Sequence, residues 1–577
     1  MFSTNLWKRF VLVALAFVFA SAMMACQEVT TITTNLPTPD SVGHFENYDQ
    51  LKAYLSSYYE KTNDGVYYFR NGGDWALAEA DGAITTTMAS TPSQNDDSST
   101  DAPSHSETNN QVDGVSESDR VITDGFYIYL VSNQHFYIID AETLAIVYTY
   151  QVDNGWMQGL YKTGDKVVLL LSEYNYEETQ TEDGVYSYWY SYSYGIRAIV
   201  FDVSDVNQVE IVKQMYFDST YLVDTRMIDG TVYLIMDNYT IYYAYTEDHF
   251  VPSYTDSTVG EEALQIPADQ IYYMPNDNQS MGYLILASFN VDDEESAHVS
   301  AYLGSSYQIY MSLNNLYTVI YRYYYDEELQ RYNQLSYILR FQIVDHQLVF
   351  QASAIIEGMP LNQFSMDEYD GVFRIATTSY EWTNEGSTIT NQMYLLDATS
   401  VDGMDTISVL GGLGKPGERI YAVRYNGDAA YVVTFVNTDP LYTLDLSDPE
   451  NPEIVGELFE EGVSDYLHIL TDDLMVGVGR QAVTSPEGWT YFTGVKVALY
   501  DTSEEAVSTI ETYLVEGEYS WTNAVYDHKA FVTYQPDGAD FVYVAIPVSE
   551  WYESWYTYSQ SEYVFKVSFS GDLELVT

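Results

Sequence analysis

Residues 417–479 read GERIYAVRYNGDAAYVVTFVNTDPLYTLDLSDPENPEIVGELFEEGVSDYLHILTDDLMVGVG. Hydrophobic runs rich in Val, Tyr, Ile and Leu alternate with short segments of Gly, Asp, Asn and Pro. That alternation is the signature of strands joined by turns. Four runs make one unit: Tyr421–Tyr425, Ala430–Phe435, Leu441–Leu446 and Ile454–Phe459. The pattern restarts at Tyr466.

The same unit can be followed outward in both directions. An apolar or aromatic residue followed by a polar stop closes each third strand. It occurs at Ile139-Asp140, Phe201-Asp202, Phe289-Asn290, Phe341-Gln342, Leu396-Asp397, Leu444-Asp445, Tyr500-Asp501 and Phe565-Lys566. The spacing, roughly 50–90 residues, is that of propeller blades carrying insertions; a solenoid needs a shorter and stricter repeat. The expectation is an all-β chain, a β-propeller of four-stranded antiparallel blades. Eight blades are predicted, with seven the alternative. Unit one is read as Arg120–Thr123, Tyr127–Val131, Phe136–Asp140 and Ile146–Val152. Unit eight is read as Asn523–Tyr526, Val542–Ile546, Tyr563–Val567 and Leu573–Val576. Closure into a ring removes the strand edges that invite aggregation.

The N-terminus reads as an address. Lys8 and Arg9 precede the apolar run Phe10–Ala22, and Ser21-Ala22-Met23-Met24-Ala25 leads to Cys26, the single cysteine of the chain. The run is short for a membrane span. Residues 1–26 resemble a bacterial lipoprotein signal, which implies lipidation of Cys26; the alternative is a simple secretory signal cleaved nearby. Either way the chain is expected to be exported, as a cell-envelope lipoprotein on the extracytoplasmic side in the first case. No second cysteine is present to form a disulfide within the chain. Residues 27–44 are Thr/Pro-rich and read as a flexible tether. In the segment 45–80, Phe45, Tyr48, Leu51, Tyr54, Leu55 and Tyr58 share one helical face, which predicts a short amphipathic helix docked on the main domain. Residues 81–112 are Ser/Thr/Asp-rich and read as a disordered linker; the propeller is assigned to 113–577.

Several segments together resemble a family of secreted bacterial and archaeal β-propeller proteins distantly related to WD40 repeats. They are Thr108-Asn109-Asn110-Gln111-Val112-Asp113-Gly114-Val115 with Asp119 and Thr123-Asp124-Gly125, and Asn362-Gln363-Phe364-Ser365-Met366-Asp367-Glu368 with Arg374-Ile375-Ala376-Thr377-Thr378. Gly417-Glu418-Arg419-Ile420, Asp439-Pro440-Leu441, Ser464-Asp465-Tyr466-Leu467-His468 and Asp527-His528-Lys529-Ala530 follow in order. The resemblance implies the fold and an exported location, and no particular activity.

The chain carries 85 acidic and 22 basic residues, a formal net charge of −63. Such a surface repels phosphate backbones and anionic headgroups, which argues against nucleic acid and against membrane contact other than through the N-terminal lipid. The charge suits cationic ligands, or solubility in a saline habitat. Tyr-rich insertions fall between the second and third strands of units two, three, four and eight. Tyr186, Tyr188, Trp189, Tyr190 and Tyr192 lie in the first, Tyr324 in the third, and Trp551 and Trp555 in the last. Alternating strand direction puts these insertions on one face, where rigid amphipathic rings suit an extracellular protein or carbohydrate. The alternative is that the hairpins pack on one another. The protein is expected to act as a monomer. Asp367, Glu368, His468 and His528 fall on predicted innermost strands. They are the candidates for acid–base work in a central channel, as in an extracellular hydrolase or lyase. No zinc, EF-hand, P-loop or dinucleotide motif is present in the sequence. No cofactor is identified and no metal site assigned, with calcium the one ion considered.

Overall fold

The computed structural model describes residues 42–62, 103–179, 189–238, 250–273, 282–326, 331–383, 386–401, 403–435, 439–485, 490–504, 506–515, 519–551 and 558–577. Its strands pair as successive antiparallel meanders of four, lettered here A to D from the innermost strand outward. Among the described residues the meanders span 121–151, 155–218, 220–303, 308–357, 366–413, 419–460, 463–514 and 519–575, joined into seven sheets, and they are numbered as blades in that order. Blades four and five are linked through one pair, Tyr332 opposite Trp382. The sixth, which decided the reading, consists of Arg419–Asn426, Ala429–Phe435, Asp439–Asp445 and Glu453–Glu460.

Side-chain alternation explains why blades stack. Successive residues of a strand point to opposite sheet faces. In Lys166–Thr179 of blade two, Val167, Leu169 and Leu171 enter a core with Tyr129, Phe136 and Ile138 of blade one. Val168 and Leu170 enter the next core with Val232, Leu234 and Met236 of blade three. Central strands therefore bury both faces and read as unbroken hydrophobic runs, each large side chain contributing about 1.5–3 kcal/mol.

The C–D turns owe their shape to aspartate. Asp140 accepts from the Thr143 hydroxyl (2.6 Å), Asp397 from that of Thr399 (2.6 Å) and Asp501 from that of Ser503 (2.6 Å), while Asp445 accepts from the Ser447 amide (2.9 Å). These hydrogen bonds hold all four carboxyls below the usual aspartate range. Asp202 is lowered first by Lys166 and then by Ser204.

Three features differ from the sequence reading. The A strand of blade eight is not continuous through 523–526. Tyr519–Thr522 and Val532–Tyr534 flank two 3-10 turns, Asn523–Val525 and His528–Ala530, nucleated by Thr522 accepting from the Ala524 amide and Asp527 from that of Lys529. Strand C of blade six opens at Asp439 and Pro440, two residues before the predicted run Leu441–Leu446. Pro440 lies opposite Phe459 and beyond the last B–C pair, Val433 with Leu441, where its missing N–H costs no ladder bond. The insertion of unit three does not simply decorate one face. Ser253–Asp256 and Gly260–Gln265 extend the outer edge of blade two. Ile271–Tyr273 pairs in parallel with His298–Leu303 at the outer edge of blade three and carries Gly43–His44. The edges are covered in this way.

The predicted helix is present as Tyr48–Thr62. Leu51 and Leu55, with Phe45 just before it, enter the core beside Phe250, Ile266 and Tyr283, and the Tyr48 hydroxyl donates to the Ile266 carbonyl (3.0 Å). The last blade is closed by Leu573–Leu575, continued by backbone bonds between Val564 and Val576 and Thr577.

Because the four turn carboxyls are depressed, their contribution is complete above the unfolded value of about 3.9 and is lost as pH falls below it. The variant D140N/D397N/D445N/D501N keeps the turn acceptor but cannot titrate. Its urea midpoint is expected to fall less than the wild type's between about pH 5 and pH 3; parallel decline of the two would contradict this origin.

Candidate functional site at the propeller axis and the B–C rim

The segment 103–120, assigned in its first ten residues to a linker, is a strap through the centre of the blades. Ser116 exchanges backbone bonds with Met227 on the A strand of blade three (2.8 and 2.9 Å), and Asp119 with Leu160 on that of blade two (3.0 and 2.8 Å). The Asn109 amide donates to the carbonyls of His528 and Phe531 (both 3.0 Å) and to the Tyr466 hydroxyl (3.3 Å). The Gln111 amide donates to the carbonyls of Gln363 (3.0 Å) and Met366 (3.2 Å). Val115 is buried among Tyr233, Leu284, Ile309 and Met311 of blades three and four. Gly125, at φ +83°, leaves room for the Pro103 carbonyl oxygen where a Cβ would collide.

Glu117 is the centre of this strap, and its side chain is 1% exposed. Oε1 accepts from the Gln111 backbone amide (3.1 Å) and the Gln363 side chain (3.0 Å), while the Glu117 amide donates to Asn110 (2.8 Å). Arg226, also buried, donates to Gln363 Oε1 (2.7 Å), pairs with Asp224 (2.8 Å) and lies 3.8 Å from Glu117. Its guanidinium is raised above its ordinary value, the carboxylates Asp224 and Glu117 outweighing the effect of burial. Lys529 Nζ (3.8 Å) and His528 Nε2 (3.4 Å) approach Glu117 Oε2.

The four sequence candidates divide. His468 and His528 are both fully buried at the axis, and burial first, then neighbouring cations, holds both imidazoles well below their usual range. They are neutral. His468 Nδ1 is bonded to the Tyr466 hydroxyl (2.9 Å). Asp367 and Glu368, on Met366–Tyr369, are engaged elsewhere. Asp367 pairs with Arg374 (3.0 Å), which also donates to the Gly427 carbonyl in blade six. Glu368 accepts from Ser312 (2.8 Å), Asn315 (3.1 Å) and Tyr317 (2.9 Å), fastening blade five to blade four. These are interblade clamps, and they leave neither carboxylate free to pair with the histidines for acid–base work. Among the described residues, no group of three or more His, Asp or Glu side chains has a metal-holding arrangement. Sequence reading missed Glu117, Arg226 and Arg424; a Glu inside a polar SESD run carries no signal of burial.

The second feature is the face where B strands end and C strands begin. Several B–C hairpins project past their A strands. In blade two the A strand stops at Gly155 opposite Glu173, whereas B and C continue to Thr179 opposite Trp189. Blade four likewise reaches Asp326 opposite Arg331, and blade five Thr383 opposite Gly386. Trp189, Tyr190 and Tyr192 lie on Trp189–Asp202, and Tyr324 on Asn315–Asp326 opposite Asn333. Trp551 ends Phe541–Trp551 and is half-buried. Tyr186, Tyr188 and Trp555 lie outside the described residues. Strand direction places Trp156, Tyr221, Tyr307, Tyr323, Tyr332, Trp382, Phe459, Tyr491, Tyr519 and Trp521 at this face, each 39–59% exposed. The opposite face exposes Phe126, Tyr369 and Phe569. The rim rings support one another within and across blades: Tyr194 lies 6.5 Å from Trp156 of its own blade and 5.6 Å from Tyr221 of blade three, and Tyr323 lies 6.4 Å from Trp382 of blade five, itself stacked on Tyr380.

These sheets and their central strap define a β-propeller. The chain belongs to the beta propeller domain family, whose model matches residues 105–577, a match that begins within the strap. It is 37% identical over 207 residues to an uncharacterized protein of Archaeoglobus fulgidus, covering 36% of this chain and 29% of that protein. It is 26% identical over 523 residues to an uncharacterized protein of Methanocaldococcus jannaschii, covering 78% of this chain and 75% of that one. Among solved structures, the computationally designed Ika8 protein aligns with 75% of this chain and 95% of its own at 8% identity, with a TM-score of 0.31.

Replacing Glu117 by Ala strips the Gln111 amide and the Gln363 side chain of an acceptor and takes away the second of the two carboxylates beside Arg226, Asp224 remaining at 2.8 Å. The expected loss is about 1–3 kcal/mol of unfolding free energy, read by urea denaturation. A change near zero would mean that the strap does not bear on stability.

Proposed function

We propose that the protein is exported, anchored through lipidated Cys26, and acts as a monomeric binding module whose B–C face takes an extracellular protein or carbohydrate. The observation that carries this reading is the concentration of half-exposed Tyr and Trp rings on that face. Rings held against each other across blades lose little entropy on contact, and each offers both an apolar surface and a polar tip. The strong negative charge of the chain keeps such a surface soluble and selects against polyanionic partners. The Thr/Pro-rich stretch after Cys26 provides reach from the membrane.

The test uses the full chain and cell-envelope material of its own source, separated into protein and polysaccharide fractions. Wild type is expected to retain a component that the triple variant W156A/Y323A/W382A loses by roughly tenfold or more, with the melting temperature unchanged. Equal retention by both would overturn the rim as the binding face. In the same cells, Cys26→Ala is expected to release the protein from the membrane fraction; continued membrane association would overturn the lipid anchor.

A further inference from the structure

The axis holds polar atoms that the protein itself leaves unsatisfied. Arg424 Nε, His468 Nε2, both ring nitrogens of His528, Asn109 Oδ1 and Glu117 Oε2 are buried and have no hydrogen-bond partner among the described residues. All five residues are more than nine-tenths buried. Native proteins satisfy such atoms with water or an ion.

Charge and hydrogen-bond direction say which. Each of the other axial guanidiniums has its carboxylate: Arg226 has Asp224 at 2.8 Å, and Arg374 has Asp367 at 3.0 Å. Arg424 has none within ion-pair distance among the described residues. The acid that acts on it most, Asp367, already belongs to Arg374. Burial accordingly holds the Arg424 guanidinium below its ordinary value, opposite to Arg226. A buried, unpaired cation is costly, and water does not neutralise it. The Tyr466 hydroxyl accepts from Asn109 (3.3 Å). Its own hydrogen is then available to His468 Nδ1 (2.9 Å), and in that tautomer the His468 proton sits on Nε2, the unpartnered nitrogen. In that tautomer Arg424 Nε–H and His468 Nε2–H are two spare donors on neighbouring residues, the Arg424 charge being close enough to lower the His468 imidazole. Each residue also has an aromatic neighbour: Phe364 lies 5.6 Å from the Arg424 guanidinium, and Phe531 lies 4.6 Å from the His468 ring.

We propose that the propeller axis binds a small monovalent anion, a halide or a formate-sized carboxylate, at Arg424 and His468. The anion completes the ion pair that Arg424 lacks and accepts from both donors. It ties blade six, through Arg424, to blade seven, through His468, beside the strap.

Thermal unfolding of the full chain is followed in sodium bromide, sodium formate and sodium gluconate at one ionic strength, for wild type and Arg424→Met. Gluconate is too bulky for the site. In wild type, bromide or formate at ten times its dissociation constant is expected to favour the folded state about tenfold over gluconate, with saturation. In R424M the ordering of the salts is expected to lose this saturable part. Whichever of bromide and formate acts at the lower concentration distinguishes a halide site from a carboxylate site. Crystals grown in bromide are expected to show an anomalous peak beside Arg424, an arm that stands even where R424M fails to fold. Identical salt dependence of wild type and R424M, or neither a bromide peak nor, in crystals grown in formate, a formate beside Arg424, would overturn the proposal.

Discussion

The buried carboxylate of Glu117 is the point on which the architecture turns. A ring of blades has weak contact across its centre, because each blade buries its apolar faces against its two neighbours only. The strap 103–120 supplies the missing cross-links. Through backbone bonds at Ser116 and Asp119, and through Asn109, Gln111 and Glu117, one short polar segment reaches blades two, three, seven and eight and the turn that opens blade five. Polar cross-links of this kind are directional where apolar packing is not, so they specify which blades meet as well as holding them. The order and spacing of inner strands around the axis then determine where the B–C hairpins emerge, and so where the exposed rings stand.

Much of the fold is legible because the strand pattern is local. Every strand of 417–479 and the helix after Phe45 follow from alternation, turn residues and helical spacing, and the aspartates of the C–D turns declare themselves by the Ser or Thr that follows. The helix docks through residues that its periodicity marks, Leu51 and Leu55 among them. The long Tyr-rich segment of unit three is less legible. Pairing with the outer edges of blades two and three is a tertiary choice, and its β-forming residues serve an edge strand as well as a projecting hairpin.

The axis is the least legible part, for a definite reason. Composition separates apolar from polar; it does not separate a polar segment in water from one whose amides are all spent on buried acceptors. The Ser/Thr/Asp/Asn content that makes 81–112 read as a linker is, from Pro103 onward, what lets Asn109 and Gln111 satisfy carbonyls of blade eight, of blade five and of the turn that opens it. The segments that carry the family resemblance do point there: the stretches containing Asn109, Gln363, Tyr466 and His528 lie far apart in sequence and meet at the axis. Asp367 and Glu368 sit beside this centre but serve as clamps between neighbouring blades, and the two histidines are buried parts of the interior. The rim is the reverse case. Its aromatic character is plain in sequence, whereas the exposure of Trp156, Tyr307 and Trp521 at the same face emerges only from strand direction.

The most direct measurement is hydrogen exchange of the strap amides in the full chain under native conditions. If the strap is integral to the propeller, the peptide containing Ser116, Glu117 and Asp119 exchanges as slowly as the central strands of blades two and three, through the same global opening. Exchange of that peptide orders of magnitude faster than those strands would show that the blades hold together without it, and would contradict the placement of Glu117 at the centre of the fold.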